Sequence, residues 1–383
     1  MTITFKANIV HDDRMEECFL RIENGRIAGI DTAFPGGEYM DFSGCYIVPG
    51  FIDLHIHGLH RCLIDNGADD LSQICRVLPQ YGVTGFLPTV APRAEGEDAA
   101  FLGTLARVRS EGAHILGFHL EGPFLKLAGA LAADAVAVAG KERMEQLRNA
   151  AKPYRAVFSI SPDVEGVESL IPGMAADGTP VFITHTAANV QQTQRAIELG
   201  ARHATHFYDV FPCPAVTEPG VRPCGAVEAI LADTRVSVDF ILDGVHVDPV
   251  AVQMALVCKP RGVCLITDAN IGAGLDPGRF SFGASGDVLF QAKGSPARLV
   301  KDNTLAGSGL TMDVAFRNAV NMLHLDIPQA VRLVSGNPAK VAGVVRKGRI
   351  ESGCDADFVI LDNRLEVLQT WIGGECCFKK DEL

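Results

Sequence analysis

Short apolar runs rich in β-branched and aromatic residues alternate with helix-like segments along the middle of the chain. Strands that are apolar on both faces and separated by amphipathic helices are typical of parallel βαβ units. Eight such runs occur, which predicts an α/β protein built on a (β/α)8 TIM-like barrel. The runs are "CYIVPGFIDLHI", "VTGFLPTV", "AHILGFHLE", "RAVFSISP", "PVFITHT", "HATHF", "RVSVDFILD" and "VCLITDA".

The two chain ends show a different pattern, in which short segments of alternating apolar and polar residues are separated by turns. Asn24-Gly25 and Gly373-Gly374 are typical of hairpin turns in these segments. We expect residues 1–49 and 345–383 to form one small β-sandwich domain. Residues 50–344 are then expected to form the barrel domain.

Polar side chains follow several of the predicted barrel strands, at the point where each strand ends. Side chains at the carboxyl ends of parallel barrel strands converge on one pocket. A His/Glu/His set in such a pocket binds one or two divalent ions, of which zinc and iron suit these ligands best. An Asp beside the ion can transfer protons. The residues are His55, His57, Glu121, His185, His206 and Asp268.

Each of these signals has a structural alternative when it is taken alone. His55 and His57 lie two apart on a strand and point to the same side, so they would also fit two buried, hydrogen-bonded histidines. Glu121 precedes Gly-Pro, which interrupts a strand, and would also fit an acidic surface turn. With His185 and His206, however, Glu121 completes the nitrogen and oxygen ligands of a catalytic metal site that keeps open positions. The combination therefore predicts a metal-dependent hydrolase.

Composition excludes several classes of function. The net charge is −12 and no run of Lys or Arg occurs, so nucleic acid is a poor candidate partner. No apolar stretch reaches the roughly eighteen residues of a membrane span. We therefore expect no nucleic-acid and no membrane partner.

Targeting signals and cysteine usage favour a cytoplasmic location. The first residues show no basic segment followed by an apolar core, so no signal peptide is expected. The final four residues, 380–383, spell an ER-retention signal, which has no meaning without a leader. The eleven cysteines are scattered without metal-type or disulfide-type spacing, as expected for reduced thiols.

Nine motifs occur in an order that resembles the amidohydrolase superfamily, most closely the N-acetylglucosamine-6-phosphate deacetylase family. They are "PGFIDLHIHG", "HLEGPF", "THTAAN", "ATHFYD", "DGVHV", "TDAN", "LAGSGLTMD", "SGNPAKVAG" and "GRIESGCDADFVILD". The resemblance covers residues 40 to 375. It implies that the main metal is held by Glu121, His185 and His206, and that His55 and His57 are a second-metal pair that some members keep.

The same resemblance implies roles for two further residues. Asp268 matches the catalytic acid/base. His246 matches a substrate-contacting histidine, although by position alone it would also fit an ordinary loop histidine. The implied activity is hydrolysis of the acetamide of a small N-acetyl amino sugar or its phosphate. A homodimer is also implied.

The chain departs from the family pattern at positions that contact the substrate. Thr217 stands where the family usually has an Arg before "EPG" that holds the sugar phosphate. Asp209-Val210 replaces an Asn-Ala pair whose backbone helps to bind phosphate, and an acid there repels a phosphate. Leu131 replaces a substrate-contacting His. The metal and proton-transfer residues are thus intact, while the substrate-binding residues are altered.

Two hypotheses follow for the phosphate. Either another cation has taken over, of which Arg222 in the same loop and Arg61 after the His pair are nearest in sequence, or the substrate carries no phosphate. The alterations favour the second hypothesis slightly. An amidohydrolase acting on a different amide, such as an N-acyl amino acid or a cyclic amide, is the first alternative function, and a non-catalytic scaffold is the second.

Overall fold

The computed structural model describes residues 2–381, so the last two residues of the 380–383 motif lie outside the described part. The strands are β1 (Thr2–Val10), β2 (Met15–Glu23), β3 (Arg26–Asp31), β4 (Met40–Pro49), β5 (Phe51–Ile56), β6 (Gly58–Leu59), β7 (Cys62–Leu63), β8 (Val83–Val90), β9 (His114–Ile115), β10 (Phe118–Glu121), β11 (Ala156–Ile160), β12 (Val181–Ile183), β13 (Ala201–Ala204), β14 (Ser237–Ile241), β15 (Val263–Ile266), β16 (Gly278–Phe282), β17 (Gly286–Phe290), β18 (Ala297–Leu299), β19 (Phe358–Leu361), β20 (Val367–Ile372) and β21 (Glu375–Lys379).

Helices separate most of the barrel strands. They are α1 (Ala68–Val77), α2 (Glu97–Leu105), α3 (Lys141–Ala150), α4 (Ile171–Met174), α5 (Val190–Leu199), α6 (Ala226–Ala232), α7 (Pro249–Cys258), α8 (Met312–Leu323), α9 (Ile327–Val331) and α10 (Asn337–Val341). Local sequence sets some of their ends, as in α5, where Asn189 and Gln192 form a capping box. Among residues 2–381, no helix combines the length and hydrophobicity needed to cross a membrane.

Eight parallel strands form the barrel in the order β5-β8-β10-β11-β12-β13-β14-β15. Strands β5 and β15 meet at their carboxyl ends, where the amide of Asp268 donates to the carbonyl of His55 and Ile56 pairs in parallel with Ala269. These strands are apolar on both faces because helices cover the outside and side chains fill the inside. The predicted barrel is confirmed.

Both chain ends contribute to one seven-stranded sheet beside the barrel, in the order β21-β20-β19-β4-β1-β2-β3. The amino-terminal and carboxy-terminal segments meet where β4 pairs antiparallel with β19. The sheet has its own hydrophobic cluster, in which the rings of Phe358 and Trp371 stack at 5.7 Å and Phe5 packs edge-on against both. The expectation that both ends build one β-structure is confirmed. The division of the chain at residues 50 and 344 stays a prediction.

A three-stranded antiparallel sheet, β16-β17-β18, follows the last barrel strand and was not predicted from the sequence. Its apolar side chains, including Phe280, Phe282 and Phe290, form a separate hydrophobic cluster with Leu63 and Ile271. The signal was present, because "RFSF" alternates in polarity and a glycine-containing turn separates it from the apolar run "VLF". This sheet supplies part of the wall of the functional site.

Candidate metal centre

The six polar residues predicted at the strand ends come together at the carboxyl end of the barrel, and all are buried. Glu121, the last residue of β10, lies at the centre of the group. Its Oε1 is 3.0 Å from Nε2 of His206 and 3.3 Å from Nε2 of His185. Its Oε2 is 3.1 Å from Nε2 of His57 and 3.6 Å from Nε2 of His55. One carboxylate therefore faces two pairs of imidazoles.

Asp268 lies on the side of the cluster that carries the His pair. Its Oδ1 is 3.4 Å from Nε2 of both His55 and His57. The ligand atoms of His55, His57 and Asp268 lie within 4.8 Å of one another, as do those of His55, Glu121 and His206. The arrangement offers two overlapping ligand sets that share His55.

Three of these residues have a backbone conformation that residues other than glycine seldom adopt. The φ angles are 49° at His185, 33° at His206 and 45° at Asp268. Each residue lies two positions after a barrel strand, where the chain turns sharply away from the sheet. Such strain persists where the surrounding structure enforces it, which is common at functional sites.

Two glycines make room for these residues. A Cβ atom at Gly129 would lie 2.8 Å from Cε1 of His185, and one at Gly307 would lie 2.7 Å from the carbonyl oxygen of Asp268. Both glycines also have positive φ, at 58° and 70°. The loops that carry them pack directly on the cluster.

The donor set fits a divalent cation. Oδ1 of Asp268 and Nδ1 of His57 are buried without a hydrogen-bond partner, and such orphaned polar atoms are costly unless something binds them. Burial by itself would lower the pKa of His206, but the hydrogen bond and charge of Glu121 outweigh it and raise that pKa to about 10. The same balance raises the pKa of His57 to about 9. The cluster therefore favours a positive charge between its side chains, which a metal ion supplies.

A cavity of about 300 Å³ opens above the cluster. Besides the metal-centre residues it is lined by His246 and Asp209. Nδ1 of His246 donates to Oδ2 of Asp243 at 2.7 Å, so Nε2 is left for the cavity. Burial raises the pKa of Asp209 to about 7, and its Oδ2 has no hydrogen-bond partner. The apolar part of the wall consists of Gly129, Ala130, Leu131, Val210, Ile241, Phe282, Leu305, Ala306 and Gly307.

The other three predicted substrate residues do not line this cavity, and no Lys or Arg is among its lining residues. Arg222 is an exposed guanidinium that pairs with Glu228 at 2.8 Å. Arg61 lies over the ring of Phe280, 5.2 Å from its centroid. Thr217 is exposed in the loop between β13 and α6. Nearness in sequence did not bring these side chains to the cavity, because the loops that carry them lead away from it.

Part of the cavity wall was missed in the sequence. Phe282 comes from the unpredicted three-stranded sheet and packs 5.8 Å from the ring of His57, centroid to centroid. Residues 304–307 follow that sheet and complete the wall. In the sequence, the glycine-rich motif "LAGSGLTMD" contains residues 305–307. It gave no prediction that they line the site, because periodicity does not show which loops cover a site.

Comparison with known proteins agrees with this arrangement. The amidohydrolase family model matches residues 46–377. N-acetylgalactosamine-6-phosphate deacetylase of Escherichia coli O157:H7 is 31% identical, over 98% of this chain and 99% of that protein. N-acetylglucosamine-6-phosphate deacetylase of Bos taurus is 28% identical, over 95% of this chain and 92% of that protein.

The fold comparison points the same way. A mutant N-acetyl-D-glucosamine-6-phosphate deacetylase from Mycobacterium smegmatis, solved in complex with N-acetyl-D-glucosamine-6-phosphate, superposes with a TM-score of 0.90 and 26% identity. That match covers 98% of this chain and 99% of the other. The barrel and the end sheet of this chain are thus arranged as in that deacetylase.

The chain belongs to the amidohydrolase family. It is an enzyme, a hydrolase that acts on a linear amide bond, and its family implies a divalent metal at the cluster around Glu121. The expected resemblance to N-acetylglucosamine-6-phosphate deacetylases is confirmed.

Proposed function

We propose that this enzyme removes acetate from a small N-acetyl amino sugar or a related N-acyl amine. The observation that carries the proposal is the position of Asp268. Its Oδ1 is buried without a hydrogen-bond partner, faces the ligand cluster and borders the cavity. A carboxylate in this place is available to exchange protons with a reacting group.

The metal is proposed to be held by Glu121, His185 and His206, with His55 and His57 available for a second ion. Zinc or iron suits these nitrogen and oxygen ligands. A divalent ion supplies Lewis acidity, which polarises the amide carbonyl and favours deprotonation of water.

We propose that Asp268 transfers the proton and that His246 binds the substrate. Asp268 takes a proton from water as the water oxygen bonds to the carbonyl carbon. The C–N bond then breaks, Asp268 returns the proton to the leaving nitrogen, and acetate is released. Nε2 of His246 is turned to the cavity by the bond of Nδ1 to Asp243. Burial alone would lower the pKa of His246, but the hydrogen bond and charge of Asp243 outweigh it and raise that pKa. The protonated imidazole donates from Nε2 to the substrate carbonyl oxygen and helps to stabilise the developing negative charge.

The cavity lining favours a substrate without a phosphate group. No Lys or Arg of the described residues lines it, while Asp209 presents an unpartnered carboxyl oxygen to it. Above pH 7, where Asp209 is ionised, a phosphate beside that carboxylate would be repelled. An uncharged amino sugar, or an N-acyl amine with an apolar group against Leu131 and Phe282, suits this lining better. Both of these phosphate-free substrates differ from the N-acetyl sugar 6-phosphates that appear in the names of the relatives.

The proposal extends to setting and assembly. We place the enzyme in the cytoplasm as a homodimer. All eleven cysteines in the described part of the chain are free thiols, which suits a reducing compartment.

An acetate-release screen tests the proposed function. The substrates are N-acetyl sugars with and without a 6-phosphate, N-acyl amino acids and cyclic amides. We expect release from at least one N-acetyl sugar, and its loss after removal of metal with a chelator. Turnover of N-acyl amino acids or cyclic amides alone would support the first alternative, and no metal binding at all would support a scaffold.

A further inference from the structure

A buried carboxylate beneath the metal centre has no part in the proposed chemistry. Asp239 belongs to β14, points into the barrel and is 0% exposed. Its Oδ1 accepts from the backbone amide of His206 at 2.6 Å and from the hydroxyl of Thr205 at 3.2 Å. Its Oδ2 pairs with Nε2 of His203 at 2.7 Å. One carboxylate thus has three hydrogen-bond partners on the neighbouring strand and the loop that follows it.

The first contact acts on a proposed metal ligand directly. His206 has a φ of 33°, so its backbone is strained, and it is buried. An unpaired buried amide would add to that cost. Charge-assisted hydrogen bonds of this kind are short and about twice as strong as neutral ones. The hydrogen bond from the amide of His206 to Asp239 therefore stabilises the turn that directs the imidazole of His206 towards Glu121.

The second contact acts on another proposed ligand through a hydroxyl. Oγ1 of Thr205 is 3.1 Å from Nδ1 of His55. A carboxylate only accepts, so the single proton of Thr205 is directed to Asp239, and the hydroxyl oxygen is left to accept from Nδ1–H of His55. This fixes the tautomer in which Nε2 of His55 carries the free lone pair, the form that binds a metal.

Asp239 is itself held in place. His203 is 0% exposed, donates to Asp239 and pairs through Nδ1 with Oγ of Ser237 at 2.7 Å. A buried carboxylate without such partners would be unfavourable. Both oxygens of the Asp239 carboxylate are therefore hydrogen-bonded.

We propose that Asp239 is a positioning residue, which holds His206 by its amide and His55 through Thr205 so that both imidazoles are ready to bind metal. The proposal rests on the metal site of the proposed function. Outer hydrogen bonds of this kind typically contribute 10–100-fold to metal affinity. Their loss should appear in metal binding by the folded protein without any substrate present.

Thr205→Val gives the first test, because it removes the hydroxyl while keeping the shape. We expect the affinity for the second zinc ion, which His55 helps to hold, to fall about 10–100-fold in chelator competition on the full chain, while the main ion binds as in wild type. Thr205→Ser restores the hydroxyl and should restore the affinity. Thr193→Val is the matched control, because the buried hydroxyl of Thr193 in α5 donates only to the carbonyl of Asn189, the N-cap of that helix. That control should bind zinc as wild type does.

Asp239→Ala and Asp239→Asn give the second test. The asparagine can still present its oxygen to His206 and Thr205, but its NH2 group then faces Nε2 of His203, which must accept instead of donate. We therefore expect zinc affinity to decrease in the order wild type, Asn, Ala. Thermal unfolding of each metal-free variant shows whether it is folded under the conditions of the binding measurement. If Asp239→Ala does not fold, the Thr205 series still decides whether the link to His55 exists.

The outcomes separate this proposal from the proposed function. If wild type binds two zinc ions and Thr205→Val binds both equally well, the link through Thr205 to His55 is wrong and the metal site stands. If wild type binds a single zinc ion and Asp239→Asn and Asp239→Ala bind it equally well, the positioning of His206 is wrong. The role is equally wrong if Thr193→Val weakens zinc binding as much as Thr205→Val does. If wild type binds no metal, the proposed function itself fails.

Discussion

Asp268 combines two properties at the scale of a single residue. It belongs to the cluster of ligand atoms, yet its Oδ1 is not hydrogen-bonded to any group in the described chain. Its amide is fixed by the carbonyl of His55 and its carbonyl by the amide of Ser308. The backbone is thus held on both sides while the carboxylate oxygen stays available, which suits a general base.

Asp268→Asn should therefore remove the base while keeping the shape of the side chain. We expect hydrolysis of the true substrate to fall about 10²–10⁴-fold, with metal content near that of wild type. Steady-state kinetics and elemental analysis on the same preparation provide the measurement. A variant that keeps most of its activity would show that Asp268 has another role.

The metal ligands give a second prediction at this scale. His185→Ala or His206→Ala should lose the main ion, because each imidazole faces Oε1 of Glu121. His55→Ala should cost only the second ion. We expect one or two divalent ions per chain in wild type by elemental analysis. The hydrolase mechanism would be refuted by a protein purified without chelator that holds no ion and takes up none.

At the scale of elements, the site is made by the ends of strands and by the loops packed over them. The three-stranded sheet β16–β18 and the segment after it cover one side of the cavity. Gly307 in that segment meets the backbone of Asp268. The proposed base is therefore contacted by a covering loop as well as held by its own strand.

Gly307→Ala tests this contact. Its φ is 70°, and a Cβ there would lie 2.7 Å from the carbonyl oxygen of Asp268. Gly178→Ala is the matched control, because its φ is 69° and nothing lies within 4 Å of the added Cβ. Both should lose about 1–2 kcal/mol of stability through backbone strain. Only Gly307→Ala should lose more than that and also lower kcat/KM.

Equal effects of the two alanines on unfolding and on kcat/KM would show that the approach of the loop to Asp268 has no consequence. Chemical denaturation of both variants, followed in parallel with their kinetics, makes the comparison.

At the scale of the whole molecule, the distribution of charge bears on which substrates suit the cavity. The chain carries a net charge of −12, and no Lys or Arg of the described residues lines the cavity. Arg222 is exposed in the loop after β13 and pairs with Glu228.

The preference for phosphate tests the two hypotheses. We expect kcat/KM for unphosphorylated N-acetyl sugars to equal or exceed that for the 6-phosphates, most clearly above pH 7, because Asp209, whose pKa is raised to about 7, is then ionised and repels an anion. Measurements on the paired substrates should be repeated with Arg222→Ala and Arg61→Ala. A phosphate preference abolished by one substitution would assign the anchor to that arginine. A strong preference that neither substitution weakens would contradict our description of the cavity.

The sequence by itself determined the barrel, the β-structure of both ends and the polar residues that end the barrel strands. Strand periodicity is local, and the polar residues that interrupt it at strand ends, such as Glu121 and Asp268, are visible without any contact map. Because parallel strands place their carboxyl ends at one edge, their convergence followed from topology alone.

Only the tertiary structure decided which loops cover the site. Phe282 is far from the His pair in sequence but packs on His57, whereas Arg61 is close in sequence and turns to Phe280. In the sequence, Asp239 is one polar residue within an apolar strand. Its contact with the amide of His206 exists only because β13 and β14 are paired in the barrel. Loop paths and buried hydrogen bonds depend on packing between distant segments, which residue periodicity does not encode.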